Sequence, residues 1–338
     1  YFGGDLMFQQ YLLTGATGFL GQNIIEQLLE KNAIISALVM ENDPLVKELP
    51  KGVEIVYGNI CDENSLQPFF NQADNQTCVI HCAGIVSVAS KSDSRIYRVN
   101  VDGTKNIINC CLKHNVGKLI YVSSVHSIPE QPKGIVMTED VQFLPELVEG
   151  DYAKSKAMAT ALVLEAAEKG LNANVVFPSG IIGPGDRGQG SITNVLLSFM
   201  AGKLPVAIKG GYDFVDVRDV ASGIVACSEK GLPKKGYILS GSYATIKDIL
   251  EMIKKLFKLK YKFVCLPISF GKCYAYFYEK WCLYKHKPLS ITPYAVAVLD
   301  SNGLFSYKAA NKAFGYKPRP LEETLKDTIT WLKETERC

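Results

Sequence analysis

The run Thr14-Gly15-Ala16-Thr17-Gly18-Phe19-Leu20-Gly21 sets the tightest limit on how this chain can fold. Residues 8–14 ahead of it read as a short buried strand. Residues 22–31 behind it read as a helix, with Ile24, Ile25, Leu28 and Leu29 on its inner side. Glycines at 15, 18 and 21 permit a tight turn, close approach of the backbone to a ligand, and tight packing of helix on strand. A helix start also offers free N–H donors and partial positive charge, which suits a pyrophosphate. Strand, glycine turn and helix in this order open a dinucleotide-binding βαβ unit.

Further apolar runs at 34–40, 53–57, 78–82, 118–123 and 174–177 read as buried strands, with helices at 101–114 and 152–169 between them. Continuous apolar strands alternating with helices predict an α/β fold, a doubly wound parallel sheet covered on both faces. After Pro178 the loops grow longer and richer in Gly and Pro. A late strand at 237–239 and helices at 246–257 and 321–333 follow. We therefore expect a dinucleotide-binding domain over 7–178 and a smaller substrate-binding lobe mostly within 179–338, interleaved with the first. Residues 1–6 read as a tag remnant ahead of Met7.

The net charge of +3 gives no reason to expect nucleic acid. The ten cysteines include no C-x-x-C pair, so reduced, mostly buried thiols in a cytoplasmic protein are expected. Cys265, Cys273, Cys282 and His286 match no zinc spacing, and no metal is expected. No apolar run reaches the length of a membrane span.

Tyr152 and Lys156 lie four residues apart near the start of a helix and so share a face. An ammonium beside a phenol favours the phenolate and lowers its pKa. A tyrosine tuned in this way can pass a proton to or from a carbonyl or alcohol near neutral pH.

Ordered along the chain are Thr14 to Gly21, Gly58-Asn59-Ile60, His81-Cys82-Ala83-Gly84, Asn100-Val101-Asp102-Gly103-Thr104, Ser123-Ser124, Tyr152 to Lys156, Pro178 to Asp186 and Phe214 to Ala221. In these the chain resembles the extended short-chain dehydrogenase/reductases, the NAD-dependent epimerase/dehydratase group, over its whole length from Met7. The resemblance implies a Rossmann-type sheet. It also implies that Phe19 and Leu20, beside Thr17, hold the pyrophosphate through backbone N–H groups. By the same likeness Asn59 and Ile60 hold the adenine, and Cys82, Ala83 and Gly84 line the ribose side. The family usually has Asp at the place of Asn59. Ser124, with Ser123 as fallback, completes a catalytic set with Tyr152 and Lys156. Lys156 is expected to bond the nicotinamide ribose, Asn100 to support the network, and Pro178, Ser179 and Ile181 to pack on the nicotinamide. Relatives that prefer NADP tend to carry Arg at the place of Met40. Here Met40, Glu41, Asn42 and Asp43 end the second strand, so NAD is expected over NADP.

Sugar-nucleotide enzymes of the group usually place Arg where this chain has Tyr212, and Asn where it has the run from Phe177 to Gly180. Both departures resemble the dihydroflavonol-reductase and 3β-hydroxysteroid-dehydrogenase branch, whose substrates are apolar alcohols or ketones. The expected function is thus hydride transfer between NAD(P) and such a substrate. A nucleotide-sugar epimerase or dehydratase is the alternative, and a non-catalytic dinucleotide sensor a further one. The aromatic segment 261–284 reads as a wall over a ring-shaped substrate or as a packed core helix. With Lys272, Lys280, Lys285 and Lys287, a membrane-surface role is the lesser alternative, and membrane contact is not expected. His126, two residues past Ser124, reads as a loop histidine, with substrate contact as the lesser alternative. Asp216, Arg218 and Asp219 read as an ion pair or helix cap. The family likeness also suggests a homodimer through helices 101–114 and 152–169.

Overall fold

The computed structural model describes residues 8–87, 93–187, 190–285 and 292–335. Residues 1–6 with Met7, and also His286 and Lys287, lie outside the described residues.

The first half alternates strand and helix: β1 (Gln10–Thr14), α1 (Phe19–Glu30), β2 (Ile34–Val39), β3 (Val53–Tyr57), α2 (Gln67–Phe70), β4 (Thr77–His81), α3 (Ser94–Tyr97), α4 (Gly103–Lys113), β5 (Lys118–Val122), α5 (Asp151–Glu168) and β6 (Ala173–Pro178). A π-helical turn, Arg98–Asp102, joins α3 to α4. The second half follows with β7 (Gly180–Ile182), α6 (Ser191–Met200), β8 (Val206–Ile208), β9 (Gly211–Asp216), α7 (Val217–Lys230), β10 (Gly236–Leu239), β11 (Ser242–Thr245), α8 (Ile246–Leu256), β12 (Val264–Leu266), α9 (Ile268–Tyr284), α10 (Pro293–Asp300), α11 (Lys308–Phe314) and α12 (Leu321–Glu334).

Seven strands form one parallel sheet in the order β10-β6-β5-β4-β1-β2-β3. β1 lies between β2 and β4, so the chain leaves the centre in both directions, and a crevice opens beyond the carboxyl ends of these strands. β4, β5 and β6 are buried at every residue, as strands covered on both faces must be. One apolar core packs α4, α5, α8 and α12 beneath the sheet, through residues such as Ile107, Val163, Ile249 and Leu325. A second packs α1, α7 and α11 on the other face, through Ile24, Ile224 and Ala310. The fold is thus doubly wound as expected. Segments beyond Pro178 serve both parts of the molecule: α7 and β10 return to the large sheet, while β7, β9 and β11 form a separate three-stranded sheet.

Candidate active site

The glycine turn forms a cradle at the carboxyl end of β1. Gly15 has a positive φ of 72°, and a Cβ there would stand 2.7 Å from the Ala83 nitrogen. A Cβ on Gly21 would overlap the Gly15 carbonyl oxygen. Both positions therefore exclude side chains, and the loop lies tight against β4 and α1. Gly18 caps α1 with no side-chain hydrogen bond, and the first turn holds no acidic residue. The open N–H groups at the start of this twelve-residue helix are met by no acidic residue of the helix's own first turn, and this fits a pyrophosphate.

Buried groups stiffen this floor. The Thr14 hydroxyl accepts from the Ala83 N–H at 3.1 Å and shares a 2.6 Å hydrogen bond with His81 Nδ1. His81 Nε2 is bonded to the Thr104 hydroxyl at 3.1 Å. Burial holds His81 well below the ordinary histidine range, at about 3, so the ring is neutral.

On the adenosine side, Met40 and Glu41 are exposed at the tip after β2. Asp43 turns back instead: one carboxylate oxygen accepts from the Thr17 hydroxyl at 2.6 Å and the other from the Leu45 N–H at 2.9 Å. Asn59 Oδ1 accepts from the Cys61 N–H at 2.9 Å, which fixes the side chain in a local turn. Ile60 is buried beneath Gly103. Cys82, Ala83 and Gly84 continue from β4 along the rim, and a Cβ on Gly84 would sit 3.1 Å from Asn100 Oδ1 and 3.5 Å from Lys156 Nζ.

The expected catalytic side chains converge next to this rim. Ser124 lies two residues past β5; its hydroxyl accepts from the His126 N–H at 3.3 Å and lies beside the phenol of Tyr152 on the first turn of α5. Lys156 lies one turn further along. Its ammonium donates to the Val122 carbonyl at 2.7 Å and sits 4.8 Å above the Tyr121 ring. Asn100 is buried in the π-helical turn. Its amide accepts from the Ile85 N–H at 2.8 Å and donates at 3.0 Å both to the Ile85 carbonyl and to the Ser155 hydroxyl. Ser155 in turn donates to the Tyr152 carbonyl at 2.8 Å. The rim, the turn and the start of α5 are thereby tied together.

Two expectations are corrected here. Ser123 is no substitute for Ser124, because its hydroxyl faces Thr160 at 2.7 Å and Ser127 at 3.2 Å, inside the core. The expected net lowering of the tyrosine pKa is not found: burial raises the Tyr152 pKa, and the neighbouring Ser124 hydroxyl offsets that only in part. The physical reason lies in Lys156 itself, which is drawn to a carbonyl and a ring and is held down to about 8 by its own burial.

Sequence reasoning missed the wall facing Tyr152. His126 packs edge-on to the Tyr152 ring at 5.9 Å, stacks on Tyr212 at 5.6 Å, and lies 6.3 Å from the ring of Tyr294 on α10. Burial brings His126 down to about 4, so it presents a neutral ring. Tyr212 and Tyr294 come from distant parts of the chain, and no local spacing marks them as neighbours of Tyr152.

Pro178 and Ser179 are buried at the end of β6, and Ile181 is half-buried on β7. The Ser179 hydroxyl donates to Asp213 Oδ1, which also accepts from the Gly241 N–H at 2.7 Å. The stretch from Asp216 to Asp219 is structural, as read. Asp216 caps α7 by accepting from the Arg218 N–H at 2.8 Å and pairs with the Arg218 guanidinium, while Arg319 pairs with Asp219. A cavity of about 570 Å³ between α1 and α7 is lined by Arg218 and Arg319, whose charges those carboxylates already meet. Among the described residues no cluster of His, Cys, Asp and Glu is placed to hold a metal ion.

Comparison with known proteins agrees with this fold. The model of the NAD dependent epimerase/dehydratase family matches residues 11–239. The sterol demethylase protein B of Methylococcus capsulatus is 23% identical over 96% of this chain and 98% of its own length. The decarboxylating sterol-4-alpha-carboxylate 3-dehydrogenase of Schizosaccharomyces pombe is 27% identical, again over 96% and 98%. Among solved structures, gox2253 superimposes with a TM-score of 0.82 at 28% identity, covering 99% of each chain.

Proposed function

Since this chain belongs to the NAD dependent epimerase/dehydratase family and is an NAD(P)-dependent oxidoreductase, we propose that its substrate is an apolar alcohol or ketone and that Tyr152 handles the proton. The observation that carries this reading is Tyr152 itself. Its hydroxyl lies beside Ser124, and its ring packs on His126, which in turn contacts Tyr212 and Tyr294 in the aromatic wall.

The backbone of Gly15 to Gly21 holds the dinucleotide pyrophosphate, and Asn59, Ile60 and the rim at Cys82 to Gly84 hold the adenosine and ribose. Bound there, the nicotinamide supplies or accepts the hydride. The chain's residues do the rest. Tyr152, kept protonated by burial, donates its hydrogen to the substrate oxygen during reduction and takes one back during oxidation. Ser124 donates to the same oxygen and orients the phenol. Lys156 holds the nicotinamide ribose from its station on Val122, and Asn100 fixes the rim against α5. The neutral rings of the wall exclude water and favour a substrate with a flat apolar body. The names of the sterol-acting relatives support that class.

NAD is the proposed cofactor. Asp43 is anchored to Thr17 beside the glycine turn, where its carboxylate repels a 2′-phosphate and suits a free ribose hydroxyl. Nine cysteines, all free among the described residues, support a reducing compartment. The family likeness and the exposed Leu112 on α4 support a homodimer through α4 and α5.

Tyr152→Phe tests the reading. It is expected to bind NADH like the wild type and to lose roughly 10²- to 10⁴-fold in turnover on a ketone panel. Equal turnover in the two proteins would refute the assignment.

A further inference from the structure

Helix α9 departs from both readings of its aromatic segment. Its core side consists of Gly271, Ala275, Glu279 and Cys282, all buried. Phe270, Tyr274, Phe277, Trp281 and Tyr284 recur at intervals of three and four residues and so form a single stripe along the opposite side. That stripe faces outward: Phe270, Phe277 and Tyr284 are 63%, 64% and 78% exposed. The ribbon leading into the helix exposes Val206, Val264 and Leu266 as well. An outward aromatic face of this extent marks a surface that is covered in use.

Charge identifies what covers it. From Lys254 to Lys285 the chain carries eight lysines and one carboxylate, Glu279, which is buried; of these lysines Lys254 pairs with Glu251 and Lys272 with Asp300. Lys280 lies 4.4 Å above the Tyr276 ring and Lys285 lies 5.1 Å from that of Tyr284, so both ammonium groups border the aromatic stripe. Rings with polar tips flanked by lysines match the boundary between acyl chains and anionic headgroups. A second copy of the chain is a poor occupant. A two-fold contact would set these lysines against their own counterparts with no carboxylate on the helix face to pair them.

We propose that α9 docks the protein on the surface of an anionic phospholipid bilayer, with Phe270, Tyr274, Phe277, Trp281 and Tyr284 at the acyl boundary and Lys280 and Lys285 among the headgroups. This revises the expectation of no membrane contact. Among the described residues no helix is long and apolar enough to cross a membrane, so the contact is one of lying on the surface. The helix packs on α10, which carries Tyr294 to the wall beside Tyr152. Docking therefore brings the crevice near the lipid.

The test uses the full chain with vesicles of phosphatidylcholine, with and without phosphatidylserine, and reads co-sedimentation with no substrate present. Its outcome is therefore independent of the substrate reading. Wild type is expected to sediment with the phosphatidylserine vesicles and to be released by high salt. Phe277→Ser with Trp281→Ser is expected to weaken partition about a hundredfold, roughly tenfold or more per ring withdrawn from lipid. Lys280→Glu with Lys285→Glu is expected to abolish the preference for phosphatidylserine, and it decides the matter should the ring variant lose its NADH-dependent thermal stabilisation. Wild type remaining in the supernatant with both vesicle types overturns the proposal. So does a folded ring variant that sediments like the wild type, or self-association without lipid that the ring substitutions abolish.

Discussion

Lys156 is hydrogen-bonded to the Val122 carbonyl at 2.7 Å, and this bond fixes the amine at the end of β5. In the proposed mechanism the amine therefore acts through position. Burial already depresses it to about 8 and keeps the Tyr152 phenol protonated across the neutral range.

The pH profile follows from those directions. Ketone reduction, which in the proposed mechanism draws its proton from the phenol, is expected to be flat near neutrality and to fall on the alkaline side. Alcohol oxidation is expected to rise there. Lys156→Met is expected to lower turnover by about 10²-fold or more, with little movement of the alkaline limb. Rate profiles of both proteins check this. A limb displaced by about one pH unit would assign the lysine an electrostatic role after all.

Asp213 is a buried carboxyl that folding makes harder to ionise, raised from 3.8 to about 6. The folded protein binds its proton more tightly than the unfolded chain does. Its contribution is thus favourable at low pH and lost as pH rises from about 4 to 6. Asp213→Asn keeps an acceptor for Ser179 and Gly241 and removes the buried charge. We expect it to gain on the order of 1–3 kcal/mol at pH 7 in a urea titration. Unchanged or lower stability would show that the charge has a compensating partner.

His81 works in the opposite direction. Its folded value of about 3 lies below the ordinary 6.5, so the unfolded chain takes up the proton first. Stability is full above about pH 6.5 and declines as pH falls toward 3. At pH 5 the loss from this ring is roughly 2 kcal/mol relative to pH 7. His126, near 4, adds to it in the same direction. Denaturant midpoints at the two pH values measure the loss, and equal midpoints would contradict it.

Gly21→Ala places a methyl against the Gly15 carbonyl and forces α1 away from the glycine turn. The expected result is a loss of about 1–3 kcal/mol in stability together with weakened NADH binding. Calorimetry with and without cofactor reads both effects. Full retention of affinity would show that the turn adapts.

The large sheet was legible because its strands are unbroken apolar runs bounded by turns. β3 spans the expected residues, and β1, β2, β4, β5 and β6 differ by at most two residues at either end. Helix α1 starts at Phe19, ahead of the expected position, because Gly18 itself supplies the cap. The residues around Tyr152 were legible where local spacing carried them, as with Lys156. They were illegible where the sheet order brings distant segments together, as with Tyr212 and Tyr294. In α9 the pattern misled. Hydrophobicity assigns the rings to the core, whereas small residues such as Gly271 and Ala275 let the backbone pack closely and leave the rings outside.

The π-helical turn from Arg98 to Asp102 holds one residue more per turn than its neighbours, and Asn100 sits within that surplus. Excising a single residue there would restore ordinary winding, because four α-helical residues cover nearly the same rotation as five π-helical ones, and it would shift Asn100 itself within the turn. The Asn100 amide would then lose Ile85 or Ser155 while both helices stayed intact. Chain length in this short stretch is therefore a setting of aim, and a deletion that spares the fold would still misdirect the crevice.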